Sequence, residues 1–280
     1  MPAFVYDAMD FLLPFQWVSY AFMKNALLAV LLISPLFGLL GTMVVSNKMA
    51  FFSDALGHGA FTGIAIGALF GLLNPVIAAS VFSVLFAILI TVIKDKSREA
   101  TDTIIGVFSS LAVALGLVLI SMGGSFNKYS SYLIGDLLSI SVAEIGVLVL
   151  VFLLVMLIWF FIANKLLLIS VNPSLAASRG VKTLPLEIVF TCIVAVIVTI
   201  SIQWVGLLIV NSMLVLPAAA ARNVARNTRQ YTFTSVLIAL ISGILGLIGS
   251  YYLNTATGAT IVLVSGVLFF LSLAVKRVRS

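Results

Sequence analysis

Long apolar runs separated by short polar ones make up nearly the whole chain. The runs near 24–45, 52–72, 75–93, 102–121, 142–163, 186–203, 205–220, 232–250 and 260–275 carry few charges. Crossing the hydrocarbon core of a bilayer takes about 20 helical residues, so each run predicts a membrane span. Helix is the expected conformation, because a spanning segment finds no water for its amides and must satisfy them internally. The 205–220 run is short and the breaks at 72–75 and 203–206 are tight, which brackets the total between eight and ten. We count nine spans, in an all-α polytopic membrane protein.

Composition agrees with that class. Of 280 residues, 62% are hydrophobic and 9% charged, with a mean hydropathy of +1.28; a soluble domain carries roughly 25% charge. The basic residues are unevenly spread. Lys94, Lys96 and Arg98, the segment from Lys165 to Lys182, the group Arg222, Arg226 and Arg229, and the group Lys276, Arg277 and Arg279 fall in alternate connections. Residues 122–131 and 251–260 are almost uncharged. Cytoplasmic connections carry the Lys/Arg excess. Nine spans with the N-terminus outside and the C-terminus inside therefore put 13 of the 15 basic residues in the cytoplasm, leaving Lys24 and Lys128 outside. The net charge of +6 follows from the same asymmetry, and basic residues scattered over four edges make no nucleic-acid surface.

The single cysteine, Cys192, lies in an apolar run and reads as a small buried side chain. Residues from Met1 to Trp17 hold Asp7 and Asp10 rather than a basic region ahead of a cleavage site, so no cleaved signal peptide is expected. Pro-Gly-rich linkers are absent, and residues 1–280 read as one transmembrane domain.

Within the second run stand Asp54 and His58, the latter the only histidine of the chain. Four residues is about one helical turn, so both side chains leave one helix on the same side. A carboxylate and an imidazole on one face, where charge is costly, form a metal-ligand pair. The alternative is that Asp54 caps the helix and His58 packs against a neighbouring span. The same helix carries Gly59, Gly63, Gly67 and Gly71, a four-residue ridge that admits another helix closely. A tetrahedral site takes about four ligands, so a two-fold dimer with this helix at its axis would complete the set. The topology puts the pair in the inner half of the membrane, or nearer the middle if the helix starts irregularly.

The remaining polar residues read as local structure. Asp102 opens a span as a cap, the alternative being a transport role; Asp136 caps or lines an outer entrance; Asn211 and Ser212 bond between spans, the alternative being substrate contact; and Glu144 and Glu187 face headgroups or water. In the segment 171–181, Asn172 suits an N-cap, Pro173 the first helical position and Gly180 the C′ position. That spells a short helix of about two turns near 172–180 in a cytoplasmic connection, either a docking element or an ordinary interfacial helix. No phosphate loop and no nucleophile–base–acid set occurs. Uphill transport would then draw on an ion gradient or on a separate ATPase, and the chain itself is not expected to be an enzyme.

Five stretches together resemble the permease subunit of bacterial zinc and manganese ABC importers. They are Ser53-Asp54-Ala55-Leu56-Gly57-His58-Gly59; Asp102-Thr103-Ile104-Ile105-Gly106; Tyr132-Leu133-Ile134-Gly135-Asp136-Leu137-Leu138; Asn172-Pro173 through Leu175, Ala176 and Gly180-Val181; and Val205-Gly206-Leu207-Leu208-Ile209-Val210 running to Leu216-Pro217 and Arg222. The resemblance covers the chain from about Gly38 to its C-terminus. It implies a homodimer or a pair of related permeases, two cytoplasmic ATPase subunits, an extracytoplasmic metal-binding protein, and a place in the bacterial inner membrane. It implies that Asp54 and His58 contact the ion and that the helix carrying Asn172, Pro173, Ala176 and Gly180 couples to the ATPase. Asn172 departs from the acidic residue of many relatives. The run from Arg222 to Asn227 looks most like the zinc branch, which favours Zn²⁺ over Mn²⁺ as transported ion, with no tightly bound cofactor. The rivals are a stand-alone proton-coupled metal transporter using Asp54, His58 and Asp136, and an assembly protein in which the pair is structural.

Overall fold

The computed structural model describes residues 3–13, 15–71, 75–123 and 135–279. Lys128 and the first three residues of the stretch from Tyr132 to Leu138 lie outside them. The described residues hold no strand. Their helices are α1 (Ala3–Leu12), α2 (Ala21–Ser46), α3 (Phe52–Leu69), α4 (Pro75–Lys96), α5 (Thr101–Gly123), α6 (Val142–Val171), α7 (Pro173–Ser178), α8 (Thr183–Val205), α9 (Leu207–Val224), α10 (Thr228–Leu253) and α11 (Thr257–Arg279), with 3-10 turns at Gln16–Ser19 and Leu137–Ser139.

Nine of these helices, α2–α6 and α8–α11, coincide in order with the nine apolar runs. Seven are long and apolar enough to cross a membrane by length and composition. The other two, α3 and α9, have 18 residues each, and α3 carries Asp54 and His58. Pro35 and Pro217 sit inside α2 and α9, as membrane helices tolerate when neighbours supply the missing partner. Helix α6 runs eight residues beyond its apolar run, through the exposed Lys165. A long aliphatic stem lets that ammonium stay in a polar layer while the helix continues.

The chain divides into two compact units, Met1–Thr42 with Asp136–Leu154 and Ser212–Ser280, and Met43–Gly135 with Val155–Asn211. In the first unit, α10 and α11 pack closely. A Cβ added at Gly246 would fall 2.5 Å from Cα of Ile261, and Ser250 donates a 3.0 Å hydrogen bond to Thr257. Ser235 donates to the carbonyl of Gly38 at 2.6 Å. Small residues and hydroxyl bonds hold these helices, because lipid is as apolar as any side chain and provides no hydrophobic drive. Lys24 is buried against Asp10 at 2.6 Å, which offsets its charge.

In the second unit, α3 packs against α4, α5 and α8. Thr91 of α4 donates to Thr191 of α8 at 3.0 Å. The outer face of α4 exposes Ile77, Val81, Leu85, Leu89 and Ile93. Their four-residue spacing marks a face that has lipid for solvent.

Candidate functional site

Helix α3 begins after a tight turn in which Lys48 takes a left-handed conformation, φ 56. Ala55 then donates to the carbonyl of Phe51 at 3.1 Å. Asp54 therefore lies in the first turn and bonds no free amide as a cap: Phe51 occupies the cap position, without a side-chain hydrogen bond. The packing of α3 is close along its length. A Cβ at Gly63 would fall 2.6 Å from Cα of Ala79, and one at Gly59 3.0 Å from the ring of Phe86. Gly67 is buried as well. Gly71 departs from the ridge read in the sequence: it lies past the helix end with φ 64, where a left-handed residue terminates the last turn. Thr62 donates to Ala112 of α5 at 2.6 Å and to the carbonyl of His58 at 3.1 Å.

From Phe52 to Ala65 every position of α3 is buried except two, Asp54 and His58. Their Oδ2 and Nε2 atoms are 3.6 Å apart, with the two side chains 34% and 27% exposed. That is too long for a hydrogen bond. It is close to the separation of about 3.4 Å that two ligands at about 2.1 Å subtend at a tetrahedral ion. Gly59 beside Phe86 places His58 opposite the middle of α4 and Asp54 about one turn away. An ionised carboxylate at the centre of a bilayer costs roughly 2.5–3.5 kcal/mol on insertion scales, a cost that a cation or water in the open face would offset.

Among the described residues no group of three His, Cys, Asp or Glu side chains comes together. Asp102 is exposed in the first turn of α5, and the carboxylate of exposed Asp136 accepts from the amide of Leu138 at 3.0 Å. Asn211 accepts a hydrogen bond from Ser53, the neighbour of Asp54. An apolar cavity of about 370 Å³ in the first unit, lined by residues such as Trp17, Leu27 and Tyr252, holds no carboxylate or imidazole.

The short helix α7 is closed at both ends. Asn172 accepts from the amide of Leu175 at 3.0 Å, and Pro173 is the first helical residue. Val181 donates to Ala176 at 3.1 Å and Gly180, φ 74, to Ala177 at 2.9 Å, the bond pair of a Schellman terminus. Ala176 is the one buried residue of α7, and Leu175 is 42% exposed.

Two features escaped the sequence reading. Glu144 accepts from the amide of Ser141 at 2.8 Å while Ser141 Oγ takes the Glu144 amide at 3.3 Å, a capping box whose S-x-x-E spacing was visible. Glu187 pairs with Lys94 rather than facing headgroups or water; no local spacing reveals that contact.

Residues 19–276 match the ABC 3 transport family, and the chain belongs to it. The resemblance drawn from the five stretches thus stands. The chain is 34% identical over 254 residues to the high-affinity zinc uptake system membrane protein ZnuB of Haemophilus influenzae, covering 89% of this chain and 95% of that protein. It is 30% identical over 254 residues to the manganese import system permease protein ScaB of Streptococcus gordonii, covering 91% of each. Among solved structures, PsaBC from Streptococcus pneumoniae in complex with Fab aligns with a TM-score of 0.79 and 28% identity over 97% of this chain and 95% of that one. The chain is an all-helical, multi-pass membrane permease.

Proposed function

We propose that this permease carries a divalent transition-metal ion inward, Zn²⁺ in preference to Mn²⁺, using ATP hydrolysed by partner subunits. The observation that carries the reading is the open face of α3, where the helix from Phe52 to Ala65 leaves only a carboxylate and an imidazole uncovered. Relatives named for zinc and for manganese support the cargo class. Nitrogen and carboxylate donors suit both ions.

Two donors hold an ion loosely, and a second copy of the chain at a two-fold axis would bring the set to four. Loose holding suits transport, since binding must be weak enough to let the ion leave. An extracytoplasmic metal-binding protein would deliver the ion. Helix α7, capped at both ends and exposed at Leu175, is the element we assign to docking on the ATPase, with the C-terminus on the same cytoplasmic side.

The test is radiolabelled Zn²⁺ and Mn²⁺ uptake into vesicles holding the permease and its ATPase, with Asp54→Ala and His58→Ala beside the parent. Both variants are expected to lose ATP-dependent uptake while remaining in the membrane. Full uptake by both would remove the reading.

A further inference from the structure

The stretch around Gly206 and the glycine at 135 have no role in the reading above, yet they meet next to the Asp54–His58 pair. Gly57 lies on α3 between Asp54 and His58. A Cβ added there would fall 1.8 Å from Cδ1 of Leu207 and 3.3 Å from its Cγ, with Ile202 next at 3.7 Å. The Leu207 side chain therefore fills the space that any larger residue at 57 would need.

Leu207 is the first residue of α9 and is nearly buried. It follows directly on Gly206, whose φ of 86 and ψ of 156 belong to a region open only to glycine. Both backbone groups of Gly206 are engaged: its amide donates to Ile202 at 2.9 Å, and its carbonyl accepts from Val210 at 3.1 Å. Against this junction lies a second left-handed glycine. A Cβ at Gly135, φ 67, would fall 2.2 Å from the Gly206 nitrogen and 2.5 Å from the carbonyl carbon of Val205. These are backbone atoms, which cannot step aside.

One turn along α9 from Leu207, Asn211 accepts from Ser53, which is one turn along α3 from Gly57. The two contacts form an antiparallel register, 57 with 207 and 53 with 211. They grip the side of α3 about 100° round the helix from Asp54 and His58. We infer that Leu207 and Asn211 are positioning residues for the Asp54–His58 pair, held by the seat that Gly206 and Gly135 make. The inference rests on the proposed ion contact of that pair. The clamp fixes the rotation and height of the first turns of α3, and with them where the two donors meet the ion.

The experiment measures apparent KM and maximal rate of Zn²⁺ uptake, in vesicles with the ATPase, for the parent, Gly57→Ala, Leu207→Ala, the double variant and Asp54→Ala. Each single change should raise KM on the order of tenfold, as displaced reactive groups do, with less effect on the rate per molecule in the membrane. The double variant places a methyl where the leucine was removed and should lie closer to the parent than either single. If Gly57→Ala fails to accumulate, recovery of the double relative to Leu207→Ala still reads the contact. Parental KM in both singles, or a double no better than the worse single, overturns the inference. If Asp54→Ala is inactive and the singles keep parental KM, only the positioning role fails; if Asp54→Ala transports normally, both readings fail.

Discussion

The ammonium of Lys94 lies 2.8 Å from the carboxylate of Glu187, joining the last turn of α4 to the second turn of α8. One turn deeper Thr91 bonds Thr191, and the next step in the same register brings Ala87 opposite Ala195, both fully buried. The polar end and the small residues beyond it let the two helices approach closely where lipid offers no drive for association. Met49, from the turn before α3, places its sulfur 3.9 Å from the same ammonium.

That pair gives the first prediction. The two side chains are 16% and 21% exposed, so Glu187→Ala leaves a mostly buried ammonium without its partner. The expected loss is about 1–3 kcal/mol, below the 3–5 kcal/mol of a fully buried pair because one end nears the headgroup layer. Lys94→Met in the same chain should recover most of it. Thermal unfolding in detergent of both singles and the double checks this; additive losses would show that the pair contributes no coupling.

The glycines separate into two kinds, and the difference is measurable. Gly63→Ala drives a methyl into the backbone of α4 at Ala79 and should destabilise by about 1–3 kcal/mol, as overpacking does. Gly106→Ala meets nothing within 4 Å on α5 and should stabilise by up to about 1 kcal/mol through helix propensity. Melting temperatures moving in opposite directions is the expected outcome. Equal shifts would mean that the α3–α4 contact gives way easily.

How far the sequence carried follows from these residues. The nine long helices were legible because each apolar run is bounded by charge or by a turn residue. Helix α7 was legible because Asn172, Pro173 and Gly180 act within their own segment. The partner of Glu187 was not, since it depends on the antiparallel register of α4 and α8, which no spacing along one helix records. Asn211 was marked as a bond between spans, but its partner Ser53 is set by how α9 meets α3. Gly71 shared the four-residue spacing of the ridge, yet the helix had already ended.

Helix α7 offers a test of the docking assignment. Asn172→Ala removes the cap and should weaken this short helix by about 1 kcal/mol, whereas Asn172→Asp keeps the bond to Leu175. Leu175→Asp puts a charge on the exposed apolar position without touching buried Ala176. We expect Leu175→Asp and Asn172→Ala to reduce copurification of the ATPase and metal-stimulated ATP hydrolysis. Asn172→Asp should stay near the parent. Unchanged copurification and hydrolysis for Leu175→Asp would place the ATPase elsewhere.

The donor pair itself can be made to change its preference. His58→Cys replaces a borderline nitrogen with a soft sulfur one turn from Asp54, and partly exposed position 58 has room for the smaller side chain. Thiolates select Zn²⁺ and softer ions over Mn²⁺, which prefers oxygen. If the side chain at 58 touches the ion, competition between labelled Zn²⁺ and Mn²⁺ should shift toward Zn²⁺, with Cd²⁺ becoming a stronger inhibitor of uptake. His58→Asp should shift it the other way, since two carboxylates make an oxygen site. Opposite shifts from one position require direct contact, because a packing defect would lower uptake of both ions alike. An unchanged ratio in both variants would mean that selection takes place before the ion reaches α3.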